Sequence, residues 1–294
     1  MAVQRILRAT AATLTWQPTD STGEPADPGT VTVGVVSSDG TVVKAVLTAT
    51  SGTGSSPRTV ALTAAQTANL DRLTATWTVS GTVVASTYHE VVGGFYFSAT
   101  ELRASEPSLA NTSTDPTAKI LMARAEVEEK FEAHGRPGFV PRFTVERLST
   151  SGGVRHMLSR WPLRRVRWVR QWYGYQSTPT YLDYTATEVA GIYVDSVTDA
   201  AVFPSIVAGY ESVQVGYEYG FDDIPADVKA AAMTYGRLMV NRHRSAVPDR
   251  AVSMTSPEGT SYQLGRVGTV WRPTGIDDID EILTRPEFQR VSIG

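Results

Sequence analysis

The sequence contains no cysteine, and this absence excludes several classes of protein at once. Disulfide frameworks, thiolate nucleophiles and cysteine-ligated metal sites all require that residue. The net charge is also small, at -3 for 294 residues, so no strong overall field attracts nucleic acid or an anionic membrane. No apolar run approaches the ~20 residues that a membrane-spanning helix needs. We therefore expect a fold that rests on packing and has no membrane partner.

Long polar tracts are absent too, which argues against a disordered chain. Hydrophobic residues make up 41% of the sequence and charged residues 19%, as in ordinary globular proteins. With roughly 150 residues per domain as a guide, the length predicts two domains.

Residues 1–95 are rich in Thr, Val, Ser and Gly, with short alternating runs that include 30–36 and 73–79. β-Branched residues at a period of two, separated by turn residues, are typical of antiparallel hairpins. We predict an immunoglobulin-like β-sandwich here. Trp16 and Trp77 are the expected core anchors.

Helix start signals follow this β-rich segment. Ser98 and Glu101 match a capping box, in which each side chain bonds the other's free backbone amide. Asp115 and Pro116 supply a capping carboxylate and a proline suited to a first helical turn, and Pro225 again follows acidic residues. These signals predict helices over 99–105, 116–134 and 225–244.

The first of the two longer helices is expected to pack on one side only, and the second has an apolar face wide enough to pack against both the first helix and the sheet. In the first, the predicted buried stripe consists of Ile120, Ala123, Val127 and Phe131. Its predicted charged face consists of Arg124, Glu128, Glu129, Lys130 and Glu132. In the second, the apolar face consists of Val228, Ala231, Ala232, Tyr235, Leu238 and Met239.

The β-pattern returns between these helices and makes an insertion over 139–219. Its candidate strands lie at 140–148, 163–173, 189–197 and 211–219. The whole chain is therefore predicted to be α+β: the sandwich, a helical domain over 96–249 that carries the insertion, and an extended C-terminal arm over 250–294. The arm has little core of its own. Its apolar residues need a surface to cover, either on their own domain or on a neighbouring subunit, and we favour the neighbour; they are Val267, Val270, Trp271, Ile276, Ile279, Ile282 and Leu283.

Motifs for catalysis or cofactor binding are missing. The sequence has no phosphate-binding loop, no dinucleotide-binding glycine pattern and no nucleophile elbow. The histidines are far apart in sequence, at His89, His134, His156 and His243. We therefore predict no enzyme, no catalytic residue, no cofactor and no metal.

Acidic residues cluster twice, at Asp222 and Asp223 and again over 277–281. Paired carboxylates can serve acid-base or metal chemistry, and a hydrolase is the alternative that they leave open. Both clusters lie where helices are predicted to begin, and carboxylates there complement the helix dipole. A structural role accounts for them without a substrate.

The densest charge feature interleaves arginine with tryptophan. It consists of Arg155, Arg160, Arg164, Arg165, Arg167 and Arg170 with Trp161, Trp168 and Trp172. Strict alternation on a strand over 163–173 puts Arg165, Arg167 and Val169 on one face, and Arg164, Val166, Trp168 and Arg170 on the other. Three interpretations remain open: a solvated sheet face, a patch for DNA, and a patch for an acidic protein partner.

Several stretches occur in an order that resembles a known family. They are Ala123 to His134 with the following Gly138-Phe-Val-Pro-Arg, then 224–232, 247–251, 256–260 and 274–283. Together they resemble the head-to-tail adaptor, or connector, proteins of long-tailed bacteriophages (siphoviruses) of actinobacteria. The helical domain over 96–249 then corresponds to the connector domain. Members of the family have no catalytic residue.

The resemblance implies a structural virion protein in the neck, assembled in the host cytoplasm. It implies a homo-oligomeric ring, typically a dodecamer, between the portal protein and the stopper or tail-terminator protein. Double-stranded DNA passes through such a lumen during genome ejection without sequence-specific binding. The candidate interface residues are Arg160, Arg164, Arg165, Arg167, Trp168, Arg170, Trp271, Ile276, Ile279, Ile282 and Leu283. The alternative function is a carbohydrate- or cell-surface-binding module of the virion that acts through residues 1–95.

Overall fold

A computed structural model shows the chain as a mixed α+β protein, in agreement with the predicted class. It forms two compact units. The β-unit comprises Met1–Gly94 and Pro141–Gly220, and the helical unit comprises Phe95–Val140 and Phe221–Gly294. The residues that the structure describes are 3–51, 54–134, 137–173, 180–195, 198–206, 209–242, 253–255, 261–263 and 274–288.

The strands and helices follow in chain order. The strands before the first helix are β1 (Gln4–Leu7), β2 (Ala12–Trp16), β3 (Val31–Val36), β4 (Val42–Thr48), β5 (Thr50–Ser51), β6 (Arg58–Leu62), β7 (Asp71–Val79) and β8 (Thr82–Val92). The later strands are β9 (Arg142–Thr150), β10 (Arg155–His156), β11 (Leu163–Tyr173), β12 (Thr180–Asp183), β13 (Tyr193–Asp195), β14 (Ala200–Val202), β15 (Gly209–Tyr219), β16 (Ser253–Thr255) and β17 (Ser261–Gln263). The helices are α1 (Ala99–Ser105), α2 (Thr117–His134), α3 (Ala186–Ala190), α4 (Ala226–Asn241) and α5 (Asp277–Leu283), with 3-10 turns at Pro107–Leu109 and Pro286–Phe288.

The N-terminal part of the β-unit has two sheets around one apolar core. One sheet has the strand order β1-β8-β7-β3-β4 and the other has the order β2-β6-β5. Alternate residues of β3 are buried, as the period of two predicts. Trp77 is fully buried, and its ring centre lies 5.7 Å from that of half-buried Trp16. Both tryptophans therefore belong to this core, as predicted.

The β-insertion folds within the same compact unit as the N-terminal strands. Buried Arg142 of β9 donates a 3.0 Å hydrogen bond to buried Glu90 of β8. Gly93 and Pro141 are also in close contact, because a Cβ added at Gly93 would lie within 3 Å of the proline ring. The predicted boundaries placed the insertion with the helical domain instead. Sequence pattern does not reveal such long-range contacts.

The helical unit is built around α2 and α4. The predicted stripe of α2 is buried, and so are Val228, Ala231, Ala232 and Tyr235 of α4. The capping box of Ser98 and Glu101 is present at the start of α1. Gly236 lets α4 approach Phe97, because a Cβ there would lie 2.7 Å from the phenylalanine ring.

Two predicted faces in this unit need correction. Glu128 of α2 was predicted on the charged face but is 1% exposed, because it accepts a hydrogen bond from the backbone amide of Tyr96 and lies 3.8 Å from Arg124. Leu238 of α4 was predicted in the apolar face but is 48% exposed.

The C-terminal arm also differs from prediction where it is described. Ile279 and Leu283 of α5 are buried in the core formed with α2 and α4, and Ile276 and Ile282 pack against that core. These residues therefore cover their own chain, and the expectation that they cover a neighbouring subunit is wrong for this segment. Trp271 lies outside the described residues. No helix within the described ranges is long and apolar enough to cross a membrane.

Candidate protein interface

The arginine and tryptophan cluster lies mainly on β11, in a sheet with the strand order β12-β11-β15-β9. The pairing of β11 with β15 is irregular twice, between Leu163 and Arg165 and again between Val166 and Trp168. At each irregularity β11 has one extra residue, and the alternation of its side chains between the two faces of the sheet shifts there by one position. The predicted division of the cluster between two faces is therefore wrong.

One face of this sheet, the inner face, is covered by an apolar core. Val166 and Val169 both point into it, although strict alternation placed them on opposite faces. They pack with Val213 and Val215 of β15 and with Phe203. The insertion's smaller sheet, with the order β10-β14-β13, contributes to the same core.

The opposite face, called the outer face, collects the charged and aromatic residues. Direct cross-strand partners share a face, and the register pairs Arg165 with Glu218, Trp168 with Gly216 and Arg170 with Asp183. It also pairs Trp172 with Tyr181, and Gln214 with Arg147. The bulges thus bring together on one surface residues that the sequence pattern separated.

A buried carboxylate organises one end of the outer face. Oε1 of Glu218 accepts hydrogen bonds from Arg165 at 2.7 Å and from Arg167 at 2.8 Å, and the Glu218 side chain is 4% exposed. Burial alone would raise the pKa of Glu218, but the bonds from the two arginines outweigh it and hold that pKa below its ordinary value. Arg167 also donates to the carbonyl of Leu70 at 3.4 Å. This end of the face is fixed within the β-unit.

The other end is a ladder of cations and aromatic rings. The guanidinium of Arg147 lies 4.3 Å from the ring centre of Trp172, and Trp172 meets Tyr181 edge-on at 5.2 Å between centres. Arg170 lies 5.6 Å from the Tyr181 ring and 5.9 Å from that of Trp168. Such contacts align flat side chains without covering them. Arg147 and Tyr181 are exposed.

Pairing with carboxylates limits the positive charge of this face. Arg170 donates to both carboxylate oxygens of Asp183, at 2.6 and 3.2 Å, and these bonds raise the pKa of Arg170. Since Glu218 already neutralises part of the charge of Arg165 and Arg167, the face is not an open basic stripe. This arrangement weakens the DNA interpretation, because phosphate binding depends on unneutralised cations.

Trp168 is held in place by close packing. A Cβ on Gly216 would lie 2.3 Å from the Trp168 ring, so the absence of a side chain there gives the indole its position. The indole Nε1 atoms of Trp168 and Trp172 are buried and have no hydrogen-bond partner among the residues that the structure describes. Aromatic rings with a polar edge are enriched at protein interfaces.

The remaining predicted residues lie elsewhere. Arg160 precedes β11, and its backbone amide donates to the hydroxyl of Tyr217 at 3.1 Å. Arg164 is half-buried at the first irregularity of β11 and is not part of the ladder. Sequence reasoning missed Arg147, Tyr181, Asp183 and Glu218, which come from other strands. Only the strand pairing brings them to the cluster.

The carboxylates of the two acidic clusters differ in their surroundings. Asp222 and Asp223 are exposed, while buried Asp280 accepts hydrogen bonds from the backbone amides of Thr274 and Gly275 at 2.9 and 3.1 Å. Asp280 therefore has the structural role expected of a carboxylate at a helix start. Within the described ranges, no group of histidine and acidic side chains is arranged to hold a metal ion.

Comparison with known proteins does not decide between these interpretations. No protein-family model matches the chain, and a search of curated proteins finds no significant match. The surface chemistry of the outer face and the resemblance in the helical unit therefore provide the basis for assigning a function.

Proposed function

We propose that the chain is a structural, non-enzymatic virion protein: the head-to-tail adaptor of a long-tailed bacteriophage. In this role it forms a homo-oligomeric ring in the neck, between the portal protein and the stopper or tail-terminator protein. The genome passes through the lumen without sequence-specific contact. The small net charge suits that role, because a strongly basic lumen would retain the DNA.

The proposal rests on one observation above all: stretches that resemble the adaptor family meet in a single core. Ala123, Val127 and Phe131 of α2 share that core with Val228 of α4 and Ile279 of α5. These positions are far apart in sequence, and the resemblance was drawn from sequence order alone. A common core of this kind is what a single connector domain requires.

The finer domain description is part of the same proposal. The helical unit corresponds to the connector domain, and the two N-terminal sheets around Trp77 correspond to an immunoglobulin-like sandwich. Antiparallel pairing of β2 with β6, and of β7 with both β3 and β8, suits that assignment.

The outer face supplies a surface for a neck partner. It is rich in arginine and aromatic residues, which dominate binding energy at protein interfaces. A ring also needs two different surfaces on each subunit that meet and close. We assign the ladder of Arg147, Trp172, Tyr181 and Arg170 to one such contact, with a partner surface that carries carboxylates.

Co-sedimentation with the portal protein of the same phage tests the function. The native chain is expected to travel with assembled portal rings on a density gradient, and a variant with Arg147→Glu and Arg170→Glu is expected to remain at the top. Arg155→Glu is the matched control, because Arg155 is an exposed arginine outside the outer face. Equal sedimentation of all three proteins would remove the outer face from the proposal, and failure of the native chain would remove the adaptor function.

A further inference from the structure

A cleft of about 510 Å³ opens between the first half of β11 and the segment that follows β12. The strand β12 pairs with β11 only from Arg170 opposite Asp183 to Tyr173 opposite Thr180. After Asp183 the chain turns into α3, so the part of β11 before Val169 has no strand paired with it on that side among the described residues. The cleft lies along this gap. The lining residues are Arg165, Val166, Arg167, Trp168, Tyr184, Ala186, Val189, Ala190 and Ile192.

The strand register shows which backbone groups of β11 point to this side. In an antiparallel pair, each residue directs both its N–H and its C=O either toward the partner strand or away from it. The C=O of Val169 points away from β15, because it accepts a 2.9 Å bond from the N–H of Tyr184. Val169 and Val166 pair with Val215 and Tyr217, which are two residues apart on β15 and so have the same orientation. The N–H and C=O of Val166 therefore also point away from β15.

The open backbone position on this side of β11 is that of Val166. The N–H of Leu163 donates to the carboxylate of Asp199 at 2.9 Å, and the C=O of Val169 accepts from Tyr184. Between them, the N–H and C=O of Val166 have no hydrogen-bond partner on this side among the residues that the structure describes. Unpaired backbone groups at a strand edge are the groups to which an extended peptide adds.

The side chains beside this position differ between the two faces of the sheet. Val166 belongs to the core of the inner face, and Ile192 packs against that core. Arg165 and Trp168 lie on the outer face, because their cross-strand partners are Glu218 and Gly216. The cleft therefore has an apolar side and a cationic side.

Arg165 is the cation of the cleft that is most accessible to a ligand. Its side chain is 56% exposed, against 24% for Arg167. Nη2 of Arg165 donates to Glu218, and its Nε and Nη1 atoms have no partner within the described part of the chain. No Asp or Glu is among the described lining residues, and the carboxylate of Glu188 on α3 accepts bonds from Thr185. Available guanidinium donors beside apolar side chains favour a ligand that carries carboxylates next to an apolar group.

We propose that this cleft binds an extended peptide in which an apolar residue stands between two acidic residues. The peptide adds as an antiparallel strand, and its apolar residue exchanges two backbone hydrogen bonds with Val166. Direct partners share a face, so this side chain lies on the apolar side with Val166, and the two acidic neighbours lie on the outer face with Arg165. The volume of the cleft is within the usual range for ligand sites. This site goes beyond the adaptor function and is tested without the portal protein.

The test is titration of the purified full chain with pentapeptides that are acetylated and amidated, so that their ends carry no charge. The peptide Thr-Asp-Val-Asp-Thr is expected to bind with a Kd between about 10 µM and 1 mM. Replacement of both aspartates by asparagine should weaken binding at least about tenfold. N-methylation of the valine should weaken it by about the same factor, because the C=O of Val166 then has no N–H to accept from. Calorimetry measures affinity, and the NMR shift of the Val166 amide reports the place of binding.

Variants of the chain separate this cleft from other surfaces. Arg165→Gln is expected to weaken binding of the acidic peptide at least about tenfold. Arg155→Gln is the matched control, because the Arg155 side chain is 57% exposed and also pairs with one carboxylate. Ala190→Trp is expected to abolish binding by filling the cleft, and Thr187→Trp on the same helix is its control, because Thr187 is exposed and does not line the cleft. Circular dichroism should show the native fold in all four variants.

Four outcomes would overturn the proposal. They are the absence of a response to the acidic peptide at about 10 mM, equal affinity for the asparagine peptide, equal affinity for the N-methylated peptide, and equal binding by Arg165→Gln and Arg155→Gln. Succinate is titrated beside the peptides, and binding as tight as that of the acidic peptide would also overturn the proposal, because it would identify a site for small anions. None of these measurements includes the portal protein, so their failure is distinct from failure of the adaptor function.

Discussion

The two faces of the sheet formed by β9, β11, β12 and β15 differ in how far their side chains are buried within the chain. The inner face buries Val166, Val169, Val213 and Val215 in one apolar core. The outer face holds Arg147, Trp172 and Tyr181 in a stacked but accessible ladder. The same strands therefore supply both stability and the surface that we propose for partner binding. Substitutions should divide accordingly, with the inner face affecting folding and the outer face affecting association.

The largest expected effect comes from a charge on the inner face. Val169 is 1% exposed, so Val169→Asp buries a carboxylate with no partner and should lower the free energy of unfolding by about 4 kcal/mol. Urea denaturation followed by circular dichroism measures the loss. The control is Val46→Asp on β4, because Val46 is 73% exposed and should change stability by less than about 0.5 kcal/mol. Similar losses at both positions would contradict the assignment of the inner face.

A smaller loss of stability is expected from removal of the buried carboxylate on the outer face. Glu218→Gln leaves Arg165 and Arg167 without their carboxylate and should cost about 2 kcal/mol at pH 7. Because the folded-state pKa of Glu218 is lowered, its stabilising effect is present above the ordinary pKa and is lost as the pH falls through the folded-state value. Denaturation of both proteins at pH 7 and at about pH 3 should show the difference shrinking in acid. A difference that is independent of pH would contradict this role of Glu218.

The accessible ladder should affect association more than stability. Arg147→Ala removes an exposed side chain that stacks on Trp172, and it should change the free energy of unfolding by less than about 1 kcal/mol. Binding to portal rings, measured by surface plasmon resonance, should weaken about tenfold. Arg155→Ala should bind as the native chain does. If Arg147→Ala unfolds the protein, or binds as well as the control, the contrast between the faces fails.

The smallest effect is expected from a change that keeps the ring. Tyr181→Phe retains the edge contact with Trp172 and removes only a hydroxyl, so stability should change by less than about 0.5 kcal/mol and portal binding should persist. Tyr181→Ala, measured beside it, should reduce binding. Equal loss in both variants would indicate that the hydroxyl, and not the ring, makes the contact.

Local signals in the sequence predicted the helices well. The capping box at Ser98 and the spacing of Ile120, Val127 and Phe131 depend on neighbours along the chain, and the structure has them as predicted. The exposed position of Leu238 was missed, because a helical period does not show how wide the covering surface is.

Long-range features were not predictable in the same way. The bulges of β11 put Val166 and Val169 on one face, and a bulge leaves little trace in the sequence. Glu218 joins Arg165 only through strand pairing. The packing of α5 on its own chain joins residues far apart in the sequence, and pattern alone does not predict such contacts. The candidate interface was therefore predicted in part: the arginines and tryptophans of β11 were found, but Arg147 and the partners from other strands were not.

Electron microscopy of the purified chain mixed with the portal protein of the same phage, with the chain alone as control, tests the adaptor function most directly. The proposal predicts a ring of this chain stacked coaxially on the portal, with the outer face in a protein contact. Portal particles that remain bare at every salt concentration, beside free folded chain, would contradict it.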